Sequence, residues 1–391
     1  MPEDISKKRA RELCEHMGRV HMGMRVICLP AGTAGYACAL MLESVIKNAG
    51  HRVGRLTSAA GFDARESIFI DSAVPSITEF NKAVAELRAA AQRIEEPCCR
   101  EEATFALGLL LFRLYDCDYV ILQGMSDYNY SLDSICAPYE LIVMPTVYDE
   151  SEKGLARLKS LCEAVRRGTR EVVSGNQKSE IYNMISNACA MSGVRLYIPI
   201  KAQFEVVETT PRRLRFSYCG KEGYSLRSPS HILRNAAMTV IECALALRRG
   251  GVKLPWSSII AGLEQVSGMG GFEMISASPL IISDFASNRR EAELLLQTAD
   301  ELWGKLERLT VCVGGEEYEL DELLLAFADR ELCRIVTVGQ DGASVENVTC
   351  CKTPEEASGV LLEQEDIPIC CLGGVTFAAE MKAAIFKKFG I

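Results

Sequence analysis

The stretch that most constrains this chain runs from Arg25 to Ser58: RVICLPAGTAGYACALMLESVIKNAGHRVGRLTS. Val26, Ile27, Cys28 and Leu29 form a short apolar run of the kind that makes a buried parallel strand. Gly32 and Gly35 follow. From Ala37 to Asn48 the pattern is helical, with Leu40, Val45 and Ile46 apolar and Gly50 as a C-terminal stop. Val53 to Leu56 opens the next strand. A glycine turn that feeds a helix N-terminus is where backbone N–H groups and the helix dipole favour a phosphate. The loop departs from the G-x-x-x-x-G-K-[ST] pattern, because Tyr36, Ala37 and Cys38 follow Gly35 and supply neither the lysine nor the hydroxyl. A tight strand–helix turn with no ligand stands as the alternative.

The same alternation continues along the chain. Ser76-x-x-Glu79 is a capping box that opens a helix to about Ile94. The next helix, Glu101 to Tyr115, is nearly continuously apolar through Leu107–Phe112, which predicts burial against a sheet. Tyr119–Leu122 and Leu141–Met144 read as core strands, and residues 203–228 as antiparallel hairpins. A glycine-rich joint, Gly268-Met269-Gly270-Gly271, precedes a second run of strands (Leu280–Ser283, Thr310–Val313, Ile335–Val338, Ile367–Leu372), each followed by a helix. The expectation is an α/β fold. It has a doubly wound, mostly parallel sheet with a small antiparallel sub-sheet in residues 1–275, and a smaller Rossmann-like α/β domain in 276–391.

Composition narrows the function. With 391 residues, 48% of them hydrophobic, the chain can bury more than one core. The net charge of −9 and the absence of a basic cluster argue against nucleic acid. No apolar run approaches the ~20 residues of a membrane span, and the polar, helical N-terminus is not a signal peptide, so the expected location is cytoplasmic. Seventeen cysteines without a C-x-x-C read as reduced, mostly buried thiols. The adjacent pairs Cys350–Cys351 and Cys370–Cys371 leave a redox or metal role as a third option. The four histidines are scattered; His21, just before the first strand, is an exposed loop residue or faces the cleft.

The order of segments resembles the folylpolyglutamate synthase branch of the Mur ligase superfamily over residues 22–391. The family loop G-T-N-G-K-G-S is similar to Gly32-Thr33-Ala34-Gly35-Tyr36-Ala37-Cys38, and T-S-P-H-L to Thr57-Ser58-Ala59-Ala60-Gly61. The glutamate of F-E-x-x-T-A falls on Glu102, and L-E-V-G-L-G-G resembles Leu122-Gln123-Gly124-Met125-Ser126. V-V-S-G-P-Q resembles Val172–Gln177, H-Q-x-x-N-A resembles His231–Ala236, P-G-R-F-E resembles Met269–Glu273, and D-G-A-H-N resembles Asp284-Phe285-Ala286-Ser287-Asn288. Near the end, G-S-x-x-x-x-x-E is similar to Gly373-Gly374-Val375 with Glu380. The resemblance implies an ATP- and magnesium-dependent ligase that phosphorylates a folate carboxylate and lets the amine of glutamate displace the phosphate. It implies nucleotide contacts at Gly32, Thr33, Gly35, Tyr36, Asn235, Asp284 and Asn288. Metal ligands would be Ser58, Gln123 and Glu150, and the positions nearest the chemistry Asp284, Ser287 and Cys162.

The departures fall on charge-handling positions. Tyr36 replaces the phosphate lysine, Gln123 the magnesium glutamate, Gly271 the arginine and Ser287 the histidine, and Cys162 falls near the modified lysine. Loss of one such group costs on the order of 10²-fold in phosphoryl transfer. The expectation is a kept fold with a catalytically impaired site, acting as a binding or partner protein for a folate-like or other carboxylate ligand. An active amide ligase with a rebuilt phosphate and metal site, drawing on Arg289, Arg290 or Lys201, is the alternative.

Overall fold

The computed structural model describes residues 2–57, 64–124, 132–266, 271–315, 320–339, 348–363 and 367–390. The chain divides into two compact units, Met1–Phe204 with Asn235–Val266, and Glu205–Arg234 with Ser267–Ile391.

In chain order the first unit contains α1 (Pro2–His16), β1 (Arg25–Leu29), α2 (Thr33–Asn48), β2 (Val53–Thr57), β3 (Ile68–Ile70), α3 (Ile77–Ala91), α4 (Arg100–Leu114) and β4 (Tyr119–Gln123). β5 (Tyr139–Met144), α5 (Glu152–Arg167), β6 (Thr169–Ser174), α6 (Ser179–Ser192) and β7 (Arg195–Tyr197) follow. Its sheet is seven-stranded, in the order β3-β2-β4-β1-β5-β6-β7. Every pairing is parallel except β2–β3. The chain steps to one side of β1 after α2 and to the other after β4, so β1 sits at the switch point, where α/β sheets hold ligands beyond their carboxyl ends. β1 is apolar on both faces because helices cover both.

The continuous apolarity of α4 has a specific cause. One side of the helix lies on β2, where Gly54 leaves room for the Phe112 ring; a Cβ there would come within 2.3 Å of it. The other side is covered by α1 and α3. Ser76 caps α3 as expected, accepting the Glu79 N–H at 3.3 Å, although the helix stops at Ala91 rather than Ile94.

The hairpin segment forms a three-stranded sheet from β8 (Phe204–Thr210), β9 (Arg213–Tyr218) and β10 (Lys221–Leu226). α7 (His231–Arg249) and α8 (Trp256–Gln265) come next, and α8 packs on α2 through Gly262 against Val45. The remaining elements are β11 (Glu273–Ala277), β12 (Leu280–Asp284), α9 (Arg289–Trp303), β13 (Arg308–Gly314), α10 (Leu320–Leu324) and β14 (Glu331–Val338), then β15 (Val348–Cys351), α11 (Pro354–Leu361), β16 (Ile369–Gly373) and α12 (Val375–Phe389). They build a six-stranded sheet in the order β11-β12-β16-β13-β14-β15, with only β11 antiparallel. Its two faces carry separate apolar cores, one under α9 and one under α11 and α12.

Candidate functional site

At the carboxyl edge of the first sheet the glycine turn is tightly built. Gly32 has φ +93°, a conformation that other residues rarely adopt, and α2 begins at the next residue. A Cβ on Gly35 would sit 2.1 Å from the Pro30 carbonyl oxygen, so only glycine fits there. The Tyr36 N–H donates to the Gly32 carbonyl at 2.9 Å and closes the first turn. Thr33 is the first residue of α2, whose N-terminus has no side-chain cap.

The neighbouring strand ends converge on this turn. Gln123 ends β4 in register with Leu29 of β1 and Thr57 of β2. It is 1% exposed, and its Oε1 accepts the Thr57 hydroxyl at 2.5 Å. The loop after β5 is locked from three sides. Gln177 donates to the Met144 and Pro145 carbonyls and accepts the Val147 N–H at 3.0 Å. Gly175 approaches Thr146, and Gly154 approaches the Asp149 carbonyl so closely that a Cβ would fall at 2.1 Å. Tyr148 in this loop accepts from Asn235 Nδ2 at 2.8 Å. Glu150 is exposed and pairs with Lys178 at 2.5 Å.

Asp149 accepts the Ser151 N–H at 3.0 Å and lies 3.8 Å from Arg157 of α5. Arg157 Nη1 reaches to 4.0 Å from the point where a Cβ on Gly32 would be. The sequence reading missed this residue. No motif marks it, and the only signal was an arginine on the polar side of an amphipathic helix.

Other expected residues sit elsewhere. Cys162 lies on α5 within the apolar core, where burial pushes its thiol up to about 11, far from a metal ligand's thiolate. His21 precedes the amino end of β1, at the edge of the sheet away from the turn. It is 8% exposed, and burial lowers its pKa, so the exposed-loop expectation does not hold. Ser58 and the joint 267–270 lie outside the described residues.

In the second unit, Asp284 ends β12 and is 1% exposed. Its two oxygens accept the Phe272 N–H at 2.5 Å and the Ala286 N–H at 2.9 Å. Burial nevertheless pushes it up to about 7. Phe272 takes φ +51°, and Ser228 Oγ donates to the Gly271 and Phe272 carbonyls. Asn288 caps α9 by accepting the Glu291 N–H at 3.0 Å, and Ser287 donates to Glu291 through both N–H and hydroxyl. Each of these side chains has a structural task within its own unit.

No protein-family profile matches the sequence, and a comparison with curated proteins finds no match. Solved structures do match over nearly the whole chain. The apo form of the L. casei folylpolyglutamate synthase superposes with a TM-score of 0.79 at 20% identity, covering 98% of this chain and 95% of that one. A folylpolyglutamate synthase–AMPPCP–folate complex gives 0.80 at 19%, covering 100% and 96%. The M. tuberculosis folylpolyglutamate synthase complexed with ADP gives 0.79 at 16%, covering 99% and 95%. The chain has the folylpolyglutamate synthase fold.

Within that fold the nucleotide and magnesium positions differ in what they offer. The turn keeps glycine geometry at Gly32 and Gly35, a backbone cradle of the kind that suits a phosphate. The described side chains that the resemblance puts at a magnesium position do not suit a hard dication. Gln123 is a neutral amide already engaged by Thr57, and Glu150 is engaged by Lys178. Among the described residues, no group of three or more His, Cys, Asp or Glu side chains converges. No helix of the described residues is long and apolar enough to cross a membrane.

Proposed function

We propose that this chain is a folylpolyglutamate synthase-like binding protein that holds a nucleotide at the Gly32–Tyr36 turn and has given up the ligase reaction. The observation that carries this reading is Gln123. It stands at the centre of the sheet's carboxyl edge, uncharged and hydrogen-bonded to Thr57, in the position where the resemblance puts a magnesium glutamate. Phosphoryl transfer to a carboxylate needs charge to neutralise the transferring group, and each missing charge costs several kcal/mol of barrier. The cradle itself is intact, and neighbours of this fold form complexes with AMPPCP, folate and ADP. A folate-like carboxylate is the second ligand this reading supports. An active ligase with a rebuilt site is the competing reading, and the guanidinium beside Gly32 favours it.

Thermal unfolding with ATP, together with an ADP-release assay in the presence of folate, glutamate and magnesium, separates the two. Binding to the native state stabilises by about 2.7 kcal/mol at one hundred times Kd, a readily visible shift. Stabilisation without ADP release is expected. Folate-dependent ADP release overturns the loss of catalysis, and the absence of any shift overturns nucleotide binding.

A further inference from the structure

We infer that the amino edge of the first sheet is a docking face for an anionic bilayer surface, a peripheral contact that needs no spanning helix. The face is built within the first unit alone. β5, β6 and β7 are parallel, so their amino ends lie side by side. The last turn of α5 leads through Gly168 straight into β6. The end of α7 is held at the same edge, with the Arg249 guanidinium 3.8 Å from the centroid of the Tyr197 ring. A Cβ on Gly250 would stand 3.8 Å from Glu140 Oε1. The segments that meet here, 138–140, 166–171, 191–195 and 247–256, hold Arg166, Arg167, Arg170, Arg195, Arg248, Arg249 and Lys253 against the acids Glu140 and Glu171. All of these cations but Arg167 are exposed, whereas both acids are half-buried. Arg170 engages Glu140 at 2.8 Å, and the Tyr197 hydroxyl donates to Glu171 at 3.3 Å. No single run of the sequence shows this concentration, and it stands against a net charge of −9 for the whole chain. Helix dipoles account for arginines in the last turns of α5 and α7. They do not account for Arg170 and Arg195, at the starts of β6 and β7, or for Lys253 beyond α7.

The rest of the edge adds apolar side chains. Met22 precedes β1, Leu114 ends α4 and Ile77 starts α3, and each is more than half exposed. These ends are neighbours, since Arg113 Nη1 donates to the Met22 carbonyl at 3.3 Å and the Tyr115 hydroxyl donates to Glu79. At the other end Met191, 75% exposed, stands close before Arg195. That mixture selects the occupant. A basic face takes a polyanion. Single-stranded nucleic acid is held by open aromatic rings, and here the Tyr197 and Trp256 rings are covered by Arg249 and Arg248. Arginines beside exposed apolar side chains fit a bilayer, where the cations meet anionic headgroups and the apolar tips reach the acyl boundary. The β1–α2 turn opens at the carboxyl edge, so a surface docked on the amino edge leaves it accessible.

The test is flotation of the full chain with vesicles of phosphatidylcholine alone and with vesicles containing roughly 30% phosphatidylserine. Wild type should float with the anionic vesicles and not with the neutral ones, and should be released between about 0.1 and 0.5 M NaCl. Arg195→Gln combined with Lys253→Gln should weaken binding by about tenfold or more, since each cation near an anionic surface contributes roughly fivefold. Met191→Ser, with the charge unchanged, should weaken it about threefold. These side chains are exposed, and circular dichroism checks that the variants keep the fold. Equal binding by wild type and both variants overturns the assignment to this edge, and so does equal binding to neutral vesicles. A titration with poly(U) completes the test. Retention of the RNA without flotation overturns the bilayer and gives the face to nucleic acid, and binding of neither overturns the docking face. Nucleotide binding at the β1–α2 turn stands or falls separately, on the unfolding shift with ATP.

Discussion

Asp284, which the resemblance puts among the nucleotide contacts, is bonded into the backbone of its own unit. The carboxylate accepts two backbone N–H groups, and one of them fixes Phe272 in its left-handed conformation, with the ring stacked 5.9 Å from that of Trp303. Burial raises its pKa to about 7 from the roughly 3.9 of an unfolded chain. Between those values the folded state holds a proton that the unfolded state has released. The contribution is therefore complete below about pH 4 and is lost as the pH rises to about 7. Asp284→Asn, neutral throughout, should destabilise the second unit by roughly 1–3 kcal/mol through one lost N–H bond. The gap between wild type and variant should narrow from about pH 4 to about pH 7. Urea unfolding followed on Trp303 fluorescence in a Trp256→Phe background measures it, and a gap that widens with pH contradicts the assignment. At this scale the resemblance pointed to positions where charge is lacking, but not to what the matching residues bond to. Asn288 and Ser287 read as site residues and serve the start of α9, while Arg157 is brought to Gly32 by the fold alone.

At the scale of elements, the attachment of α1 depends on one buried carboxylate. Glu102, in the first turn of α4, accepts from Ser6 Oγ at 2.5 Å, from Arg9 Nε at 3.0 Å and Nη2 at 2.7 Å, and from the Cys99 N–H at 3.0 Å. The resemblance marks this position, and here its work is to fasten a helix. Glu102→Ala removes the partner of Ser6 and leaves Arg9 with the exposed Glu96 at 3.3 Å, and should cost about 2–4 kcal/mol. Trypsin should then cleave after Arg9 and Arg11 well before the sheet unfolds; an unchanged digestion pattern would show that apolar packing alone holds α1. The tight β1–α2 turn makes the companion prediction. Gly35→Ala forces a Cβ against the Pro30 carbonyl and should lower stability by about 2 kcal/mol or more, seen as a drop in Tm with ATP absent. Alternating apolar runs made most strands and helices legible, including the three-stranded antiparallel sheet. The two missed strands, β11 and β15, are both at sheet edges, where half-exposed residues such as Val348-Thr349 carry no clear period.

Across the whole molecule, segment order and apolar frame were enough to recognise the fold, because packing tolerates substitution so long as volume and pattern persist. Ligand recognition depends on a few charges and has no such redundancy, so it is far less legible in sequence than the fold. The cysteines are the case where that frame yields a global measurement. All seventeen are free thiols: eleven buried, four half-buried (Cys98, Cys99, Cys117, Cys333) and two exposed (Cys219, Cys350). Adjacent Cys350 and Cys351 fall on opposite sides of β15, one exposed and one buried, as neighbours on a strand must. Burial raises the Cys14 and Cys370 thiols to about 12 and that of Cys189 to about 11, and only the thiolate attacks a disulfide reagent. Titration of the native protein with an aromatic disulfide should therefore label Cys219 and Cys350 quickly and the four half-buried thiols slowly. The eleven others should react only with the unfolding transition, bringing the total to seventeen without reductant. Early reaction of buried thiols would mean that the cores open far more readily than their packing implies. A total below seventeen after denaturation would reveal disulfides and revive a redox role for these residues.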